Sequence, residues 1–395
     1  MNNKKYKRSL LLLALTLGVY VPPSYVVAAQ NLSNYTVRKV QKAYQFQQEE
    51  RVSDAIELLA DIEPSREYDK AYVNRMLGNL YWQTGQKTQS INRLTLSVDS
   101  DVLPEQQQRD TSKMLADILL TEGEYKQAEV RYQGMLQYYS EAENLEWLWL
   151  RIAQAQYQQK KWTSVEQSVD NQQKFQKQAG MKPKIMPLNM KLTAQLAQKK
   201  YEGAIYTTRA IRELEPDNHL WWKQLTSLYL YTTNYDKALE TLKQTERAGF
   251  ELSRQRLELM AQLYAQAKVP YKAAETYQRL ADKYGSADYI VQVASNWQTA
   301  KEWGKAESSW YQAAKEENKH FKEYALLKLR LRKYQEALDA IDKVPDKDAS
   351  MLLTKAGALS SLGDNKAALE VATLAHKMEP SKSTLGWIKY LSKLD

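Results

Sequence analysis

The sequence predicts an all-α protein, a solenoid of about ten helix pairs, on three observations: its composition, a recurring ladder of apolar residues, and the short polar turns that interrupt it. With 395 residues the chain is too long for one ordinary compact core, so several domains or an elongated array are expected. Hydrophobic residues make up 43% and charged residues 26%, the balance of a folded rather than a disordered chain. Only 13 Gly and 10 Pro stand against 27 Tyr and 10 Trp. That scarcity argues against sandwiches, barrels and βαβ units, whose turns need such residues, and for helices joined by short loops.

The ladder is plainest in residues 219–244, where Trp222, Leu225, Thr226 and Tyr229 share one helical face. Ala238 follows nine residues after the tyrosine and Leu242 four beyond that. The same order returns in Leu257, Met260, Ala261, Tyr264, Ala273 and Tyr277, and again in Ile290, Val293, Ala294, Trp297, Ala306 and Trp310. The aromatic residues are therefore expected in the core rather than in a ligand cage. A small residue marks each copy at Ala55, Ser90, Ala128, Val165, Ala204, Ala238, Ala273, Ala306, Ala337 and Ala368, at intervals of 31 to 39 residues. Turns such as "TEGEYK", "TTNYDK", "AKEWGK" and "SLGDNK" separate the two helices of a pair. A small side chain where two helices cross lets their backbones approach closely, which is the unit of a helical solenoid.

These residues resemble the tetratricopeptide repeat family, whose pattern joins a Trp or Leu, a Leu-Gly or Leu-Ala pair, a Tyr, an Ala, an aromatic residue, an Ala and a Pro. The resemblance covers roughly residues 35 to 380 and implies a right-handed superhelix that binds protein or peptide. Val165 and Leu192 depart from the pattern, and Gly180, Pro183 and Pro187 lie in the long interval between the fourth and fifth copies. Proline ends helices, so a kink is expected there, between an N-terminal block over 30–180 and a C-terminal block over 181–382. Residues 383–395 are expected to form a capping helix.

Residues 1–29 read as a cleaved signal peptide: Lys4, Lys5, Lys7 and Arg8 precede the apolar run from Leu10 to Val21, and "VVAA" offers a cleavage site. The alternative, a retained anchor, needs a longer run, about 20 residues. Without cysteine, disulfides, thiolate metal sites and lipid attachment are excluded. A soluble periplasmic protein is the expectation. Removing those four basic residues takes the formal charge from +9 to +5, and nucleic acid is the wrong partner in that compartment.

No catalysis, cofactor or metal is expected. His219, His320 and His376 lie far apart near helix ends, and no phosphate loop, dinucleotide fingerprint or nucleophile elbow occurs. The acidic pairs Glu49 with Glu50 and Glu141 with Glu143 read as solvated turn residues. Residues 171–201 hold Lys174, Lys177, Lys182, Lys184, Lys191, Lys199 and Lys200 and no acid, a candidate basic patch for an acidic partner or peripheral contact with the envelope surface. The basic run 327–335 falls at a helix end and its turn. In a solenoid of this kind the first helix of each pair lines the concave side, where residues not needed for packing are free to bind. Those residues are Tyr72, Arg75, Asn79 and Trp82 in the second copy and Trp147, Leu150, Gln154 and Tyr157 in the fourth.

The stretches "AQNLSNYTVRKVQKAYQFQQEERVSDAIELLADI" and "YDKAYVNRMLGNLYWQTGQ" are similar to tetratricopeptide proteins that accompany a TonB, ExbB and ExbD energy-transduction system. That resemblance implies a part in TonB-dependent uptake of iron complexes. An envelope-assembly scaffold for outer-membrane proteins, pili or polysaccharide export uses the same groove, and an enzyme of cell-wall turnover is the third reading.

Overall fold

The fold is seen in a computed structural model that describes residues 32–394; the expected signal peptide over 1–29 lies outside the described residues. Among the described residues there are 21 α-helices and no strand. Contacts divide the chain into two compact units between Lys199 and Lys200. The first holds α1 (Asn34–Gln48) with α2 (Val52–Ala60), α3 (Glu67–Gln83) with α4 (Lys87–Asp99), α5 (Glu105–Thr121) with α6 (Tyr125–Gly134), α7 (Ala142–Gln158) with α8 (Trp162–Gln178), and α9 (Ile185–Ala197). The second opens with α10 (Tyr201–Leu214) and continues with α11 (His219–Tyr231) and α12 (Tyr235–Arg247), α13 (Arg254–Gln266) and α14 (Pro270–Tyr284), and α15 (Ala287–Thr299) and α16 (Trp303–Glu316). It ends with α17 (Phe321–Arg330) and α18 (Tyr334–Asp342), α19 (Ala349–Ser361) and α20 (Asn365–Met378), and α21 (Lys382–Leu391). Inside each unit every helix packs chiefly on its neighbours in chain order, which makes each unit a linear helical array.

The two helices of a pair are always joined by three residues, as in Thr84, Gly85 and Gln86. The middle one adopts the left-handed conformation in all ten turns: Glu50, Gly85, Gly123, Lys160, Lys199, Thr233, Lys268, Lys301, Arg332 and Gly363 have φ between 54° and 87°. In this conformation the residue's own N–H and the next one turn back onto the helix just ended. The Gly85 N–H donates to the Trp82 carbonyl at 3.0 Å and the Gln86 N–H to the Tyr81 carbonyl at 2.8 Å, which satisfies carbonyls the helix end would leave unpaired. Thr233 and Asn234 repeat the arrangement on Leu230 and Tyr229. Variation in repeat length therefore falls elsewhere, in helices as short as the 10 and 9 residues of α17 and α18 and in the loops between pairs.

Five residues after each left-handed residue comes the marker, and all ten markers, from Ala55 to Ala368, are 0% exposed. Twelve residues before it, on the first helix, stands a second small residue. At Gly78 a Cβ would lie 2.5 Å from Leu94 Cγ, so the helices touch there through backbone. Leu192 is the exception at this position and is still buried. Trp222 and Tyr229 are buried, as their place in the ladder requires.

The kink expected around Pro183 and Pro187 is a loop followed by an unbroken helix. Pro187 lies in the first turn of α9, where a helix uses no N–H. Because α8 and α9 share a core of Val165, Val169, Met190 and Ala194, residues 180 and 181 fall inside the first unit. At the other end, α21 starts with a capping box between Ser381 and Thr384, and its fully buried Leu391 packs on Ala356, Ala368 and Ala372.

One rung of the ladder shows how neighbouring pairs recognise each other. Nine residues before the marker the side chain is Phe46, Tyr81, Leu119, Tyr229, Tyr264, Trp297 or Leu359 in seven pairs, but Gln156, Gln195 and Lys328 in the other three. In those three junctions alone, the residue one past the preceding marker is Glu (Glu129, Glu166, Glu307) instead of an apolar residue, and the residue four before the following marker is Lys (Lys161, Lys200, Lys333). The geometry explains the exchange. Glu129 accepts from Gln156 Nε2 at 3.0 Å, from Gln159 Nε2 at 2.8 Å and from Lys161 Nζ at 2.6 Å. Glu307 likewise holds the buried Lys328 ammonium and Lys333 Nζ, the latter at 2.9 Å, while Glu336 and the Tyr324 ring complete the surroundings of Lys328. Where the rung is polar, its partner across the junction is polar too.

Two outcomes follow from these junctions. Lys328→Met removes the ammonium shared by Glu307 and Glu336, leaves Glu307 with Lys333 alone, and should cost about 1–3 kcal/mol. Combining Lys328→Trp with Glu307→Ala, the combination the chain uses as Trp297 and Ala274, should recover most of the loss in urea melts. A double variant no more stable than the sum of its singles would show the pair to be uncoupled. Burial alone would raise the carboxyls of Glu129 and Glu307, but their lysine and amide donors outweigh it and hold both below the ordinary range. Lowered carboxyl pKa values stabilise the fold above the unfolded value, about 4.3, and the contribution is lost as pH falls through the folded one. Melting temperature should drop between pH 5 and strongly acidic pH, and the drop should shrink in Glu129→Gln; an equal drop in that variant would exclude this carboxyl as a source.

Candidate partner-binding surface

A first helix in such an array is packed against its own partner and against the preceding pair, so only a narrow stripe of it reaches solvent. On α3 the stripe is narrower than the sequence suggests. Tyr72 is 5% exposed, inside the cluster of Val40, Ala43, Met76 and Leu77, with its hydroxyl 3.4 Å from that of Tyr44. It is a core residue, not a groove residue, because α3 also buries its flank against α1 and α2. Arg75 is half-buried, and Asn79 is exposed and accepts from Gln83 Nε2 at 3.4 Å. Trp82 is half-buried against the cluster built on Leu94, Leu115 and Leu119.

On α7 all four expected residues are half-buried. The Trp147 ring meets Tyr132 edge to face at 6.0 Å and 81°. Lys113 Nζ stands 4.6 Å from the Trp147 centroid, and the Arg151 guanidinium 5.8 Å. Behind the ring, the Tyr132 hydroxyl donates to Asp117 at 2.5 Å, and Arg151 Nε lies 3.7 Å from the same carboxylate. Burial, reinforced by Asp117, pushes the Tyr132 hydroxyl far above its usual pKa. Gln154 accepts from Arg151 at 3.2 Å and points its Nε2 at the Met186 sulfur of α9, 3.8 Å away. Tyr157 turns inward instead and packs edge to face on Trp162 at 5.7 Å. A continuous stripe results, running from Lys113 and Asp117 on α5 through Trp147, Arg151 and Gln154 on α7 to Met186 on α9.

Lys113, Asp117 and Met186 were absent from the sequence-derived set, although the signal was there. Counted from the marker, Lys113 occupies the position of Arg75 and Leu150, Asp117 that of Asn79 and Gln154, and Met186 that of Tyr72 and Trp147. Copying the register into the third and fifth pairs finds them.

The basic segment is not an unpaired patch. Lys184 pairs with the buried Glu146 at 3.1 Å and Lys191 with Asp170 at 2.5 Å, acids borrowed from α7 and α8 that a local count of residues 171–201 misses. Lys174 lies over the Phe175 ring, and Lys174, Lys177, Lys182, Lys199 and Lys200 are exposed. The histidines sit at helix ends: His219 opens α11, His320 precedes α17 between Glu317 and Glu323, and His376 in the last turn of α20 lies 2.7 Å from the Thr384 hydroxyl. Among the described residues no helix is long and apolar enough to cross a membrane.

No protein-family model and no curated protein matches the chain. Among solved structures it is similar to Naa15/Naa10 bound to HypK-THB, at 13% identity and a TM-score of 0.43, covering 94% of this chain and 63% of that one. It thus spans less than two thirds of that chain's length. It is also similar to a tetratricopeptide repeat protein from Parabacteroides merdae ATCC 43184, at 17% identity and a TM-score of 0.29, over 63% of this chain and 98% of that one. A third is YrrB, a TPR protein with an unusual peptide-binding site, at 13% identity and a TM-score of 0.27, over 52% of this chain and 91% of that one.

Trp147 and Asn79 differ in what their removal should do. Trp147→Ala deletes a ring packed on Tyr132 and should cost about 2 kcal/mol of stability, whereas Asn79→Ala should stay within about 0.5 kcal/mol. Denaturant midpoints measure both. Equal values would place Trp147 in solvent, free of Tyr132.

Proposed function

We propose that the chain is a non-catalytic periplasmic scaffold whose first-helix stripe holds an extended or helical segment of a partner protein. The observation that supports this reading is the stripe over α5, α7 and α9, an aromatic ring flanked by two cations, an amide and a thioether. Trp and Arg are the side chains that dominate interface energies, and a thioether adapts to varied apolar surfaces. Lys113 and Arg151 outweigh the single carboxylate of Asp117, so the preferred occupant carries acidic residues next to an apolar or aromatic one.

The compartment rests on the N-terminal basic and apolar pattern. The partner rests on the similarity of residues 29–62 and 68–86 to proteins that accompany TonB, ExbB and ExbD. In this reading the occupant belongs to the motor that drives iron-complex uptake, and the array holds it along the route from inner to outer membrane.

A photo-reactive residue placed at Asn79 or Gln154 should trap a TonB-, ExbB- or ExbD-type component in cells starved of iron. Lys113→Glu should weaken the capture, by about thirtyfold for a hot spot near 2 kcal/mol. A strain lacking the gene should grow in rich medium and poorly on haem or a siderophore complex as sole iron source. Normal growth of that strain on every such source, with no second TonB system present, would overturn the uptake role and leave the assembly scaffold as the better reading.

A further inference from the structure

In the second unit, the turns inside successive pairs carry cations at the one position where glycine is conformationally easiest. Lys268, Lys301 and Arg332 are the left-handed residues of the turns joining α13 to α14, α15 to α16 and α17 to α18. All three are exposed, and none forms an ion pair among the described residues. The carboxylates of these turns are already engaged: Glu275 by Lys272 at 2.8 Å, Glu302 by Lys305 at 3.8 Å, and Glu307 and Glu336 by Lys328 and Lys333. Lys268, Lys301 and Arg332 are therefore left without a paired carboxylate.

Aromatic residues stand beside each cation. Tyr271, Trp303 and Tyr334 follow two or three positions later, and Tyr271 and Val269 are each 40% exposed. Lys305 Nζ lies 5.1 Å from the Tyr271 centroid, and the Arg330 guanidinium 5.2 Å from that of Trp303. A cation just past a helix C-terminus complements the helix dipole, but the same turn is made with Gly85, Gly123, Thr233 and Gly363, so its geometry demands no charge. Nor does the turn before α14 demand the exposed Val269 and Tyr271 beside that charge, whereas Trp303 and Tyr334 at the other two turns are half-buried. Rings and cations presented together at chain turns match a bilayer interface, where headgroup phosphates and the aromatic belt lie at one depth.

We propose that this turn edge of the second unit rests on an anionic lipid surface, with Lys268, Lys301 and Arg332 on headgroup phosphates and Tyr271 and Trp303 at the interface. The contact is peripheral and separate from the first-helix stripe.

The test uses the full chain and sedimentation with phosphatidylcholine vesicles made with and without phosphatidylglycerol. The wild type should partition onto the anionic vesicles, and salt should weaken the binding. The triple variant Lys268→Gly, Lys301→Gly, Arg332→Gly copies the chain's own glycine turns and should keep the melting temperature. Its partition should fall about a hundredfold, from about fivefold per cation. A Lys268→Gln, Lys301→Gln, Arg332→Gln variant repeats the measurement with side chains of similar length. The apolar run over 10–21 is common to all these proteins, so binding that is equal in wild type and variants would overturn the proposal. Indifference of the wild type to phosphatidylglycerol would overturn it too. Binding to polyglutamate but not to vesicles, lost in the variants, would assign the edge to an acidic polypeptide instead.

Discussion

The constraint on which the rest depends is the close crossing of two helices that a three-residue turn forces to lie antiparallel. The turn holds one residue in the left-handed region, at a cost of about 1 kcal/mol where that residue is not glycine. Two backbone hydrogen bonds per turn offset the cost by satisfying helix-end carbonyls. With the turn fixed, the residue five positions on must meet the preceding helix at the crossing, and a side chain larger than Ala, Ser or Val has no room there. The nine crossing residues whose two helices lie within one unit are fully buried. Loops and helix lengths absorb the variation that the turn refuses.

Stacking adds a second demand, because each pair must accept its own neighbour and not another. An all-apolar ladder would stack in any order. The glutamate, lysine and polar-rung combinations at Glu129 with Gln156 and Lys161, and at Glu307 with Lys328 and Lys333, penalise misplaced neighbours, since an unpartnered buried ammonium or carboxylate is far costlier than a lost apolar contact. Buried charge here contributes order along the chain more than net stability.

Most of the fold was legible because its signal is periodic: the small markers, the aromatic rung and the turns recur within one chain, and each copy corroborates the others. The polar rung was legible in principle, since Glu129, Glu166 and Glu307 break the apolar pattern at one fixed position, but it has meaning only once the neighbouring pair is in view. Surface assignments fared less well for a geometric reason. Helical spacing groups Tyr72, Arg75, Asn79 and Trp82 on one face, yet a stacked helix buries a wide arc, and Tyr72 lies on the wrong side of its edge. Ion pairs were hidden likewise: Lys184 and Lys191 find Glu146 and Asp170 on other helices, beyond any local count of charge.

What the fold leaves unconstrained is where function can be written. The crossing residue, its partner twelve positions earlier and the rung nine positions earlier are fixed by packing, while in the second, third and fourth pairs the positions eleven and fifteen before the crossing reach the surface. Asn79, Asp117 and Gln154 share the first of these and Arg75, Lys113 and Leu150 the second, and apart from Asp117, which holds the buried Tyr132 hydroxyl, their chemistry can change from pair to pair with little effect on the stack. The left-handed turn residue is equally free in its side chain, because only its backbone is specified. A first-helix stripe in one unit and a turn edge in the other are thus independent registers of the same repeat. Substitution in one should leave the other intact, so the chemistry of each can be selected separately in a single chain.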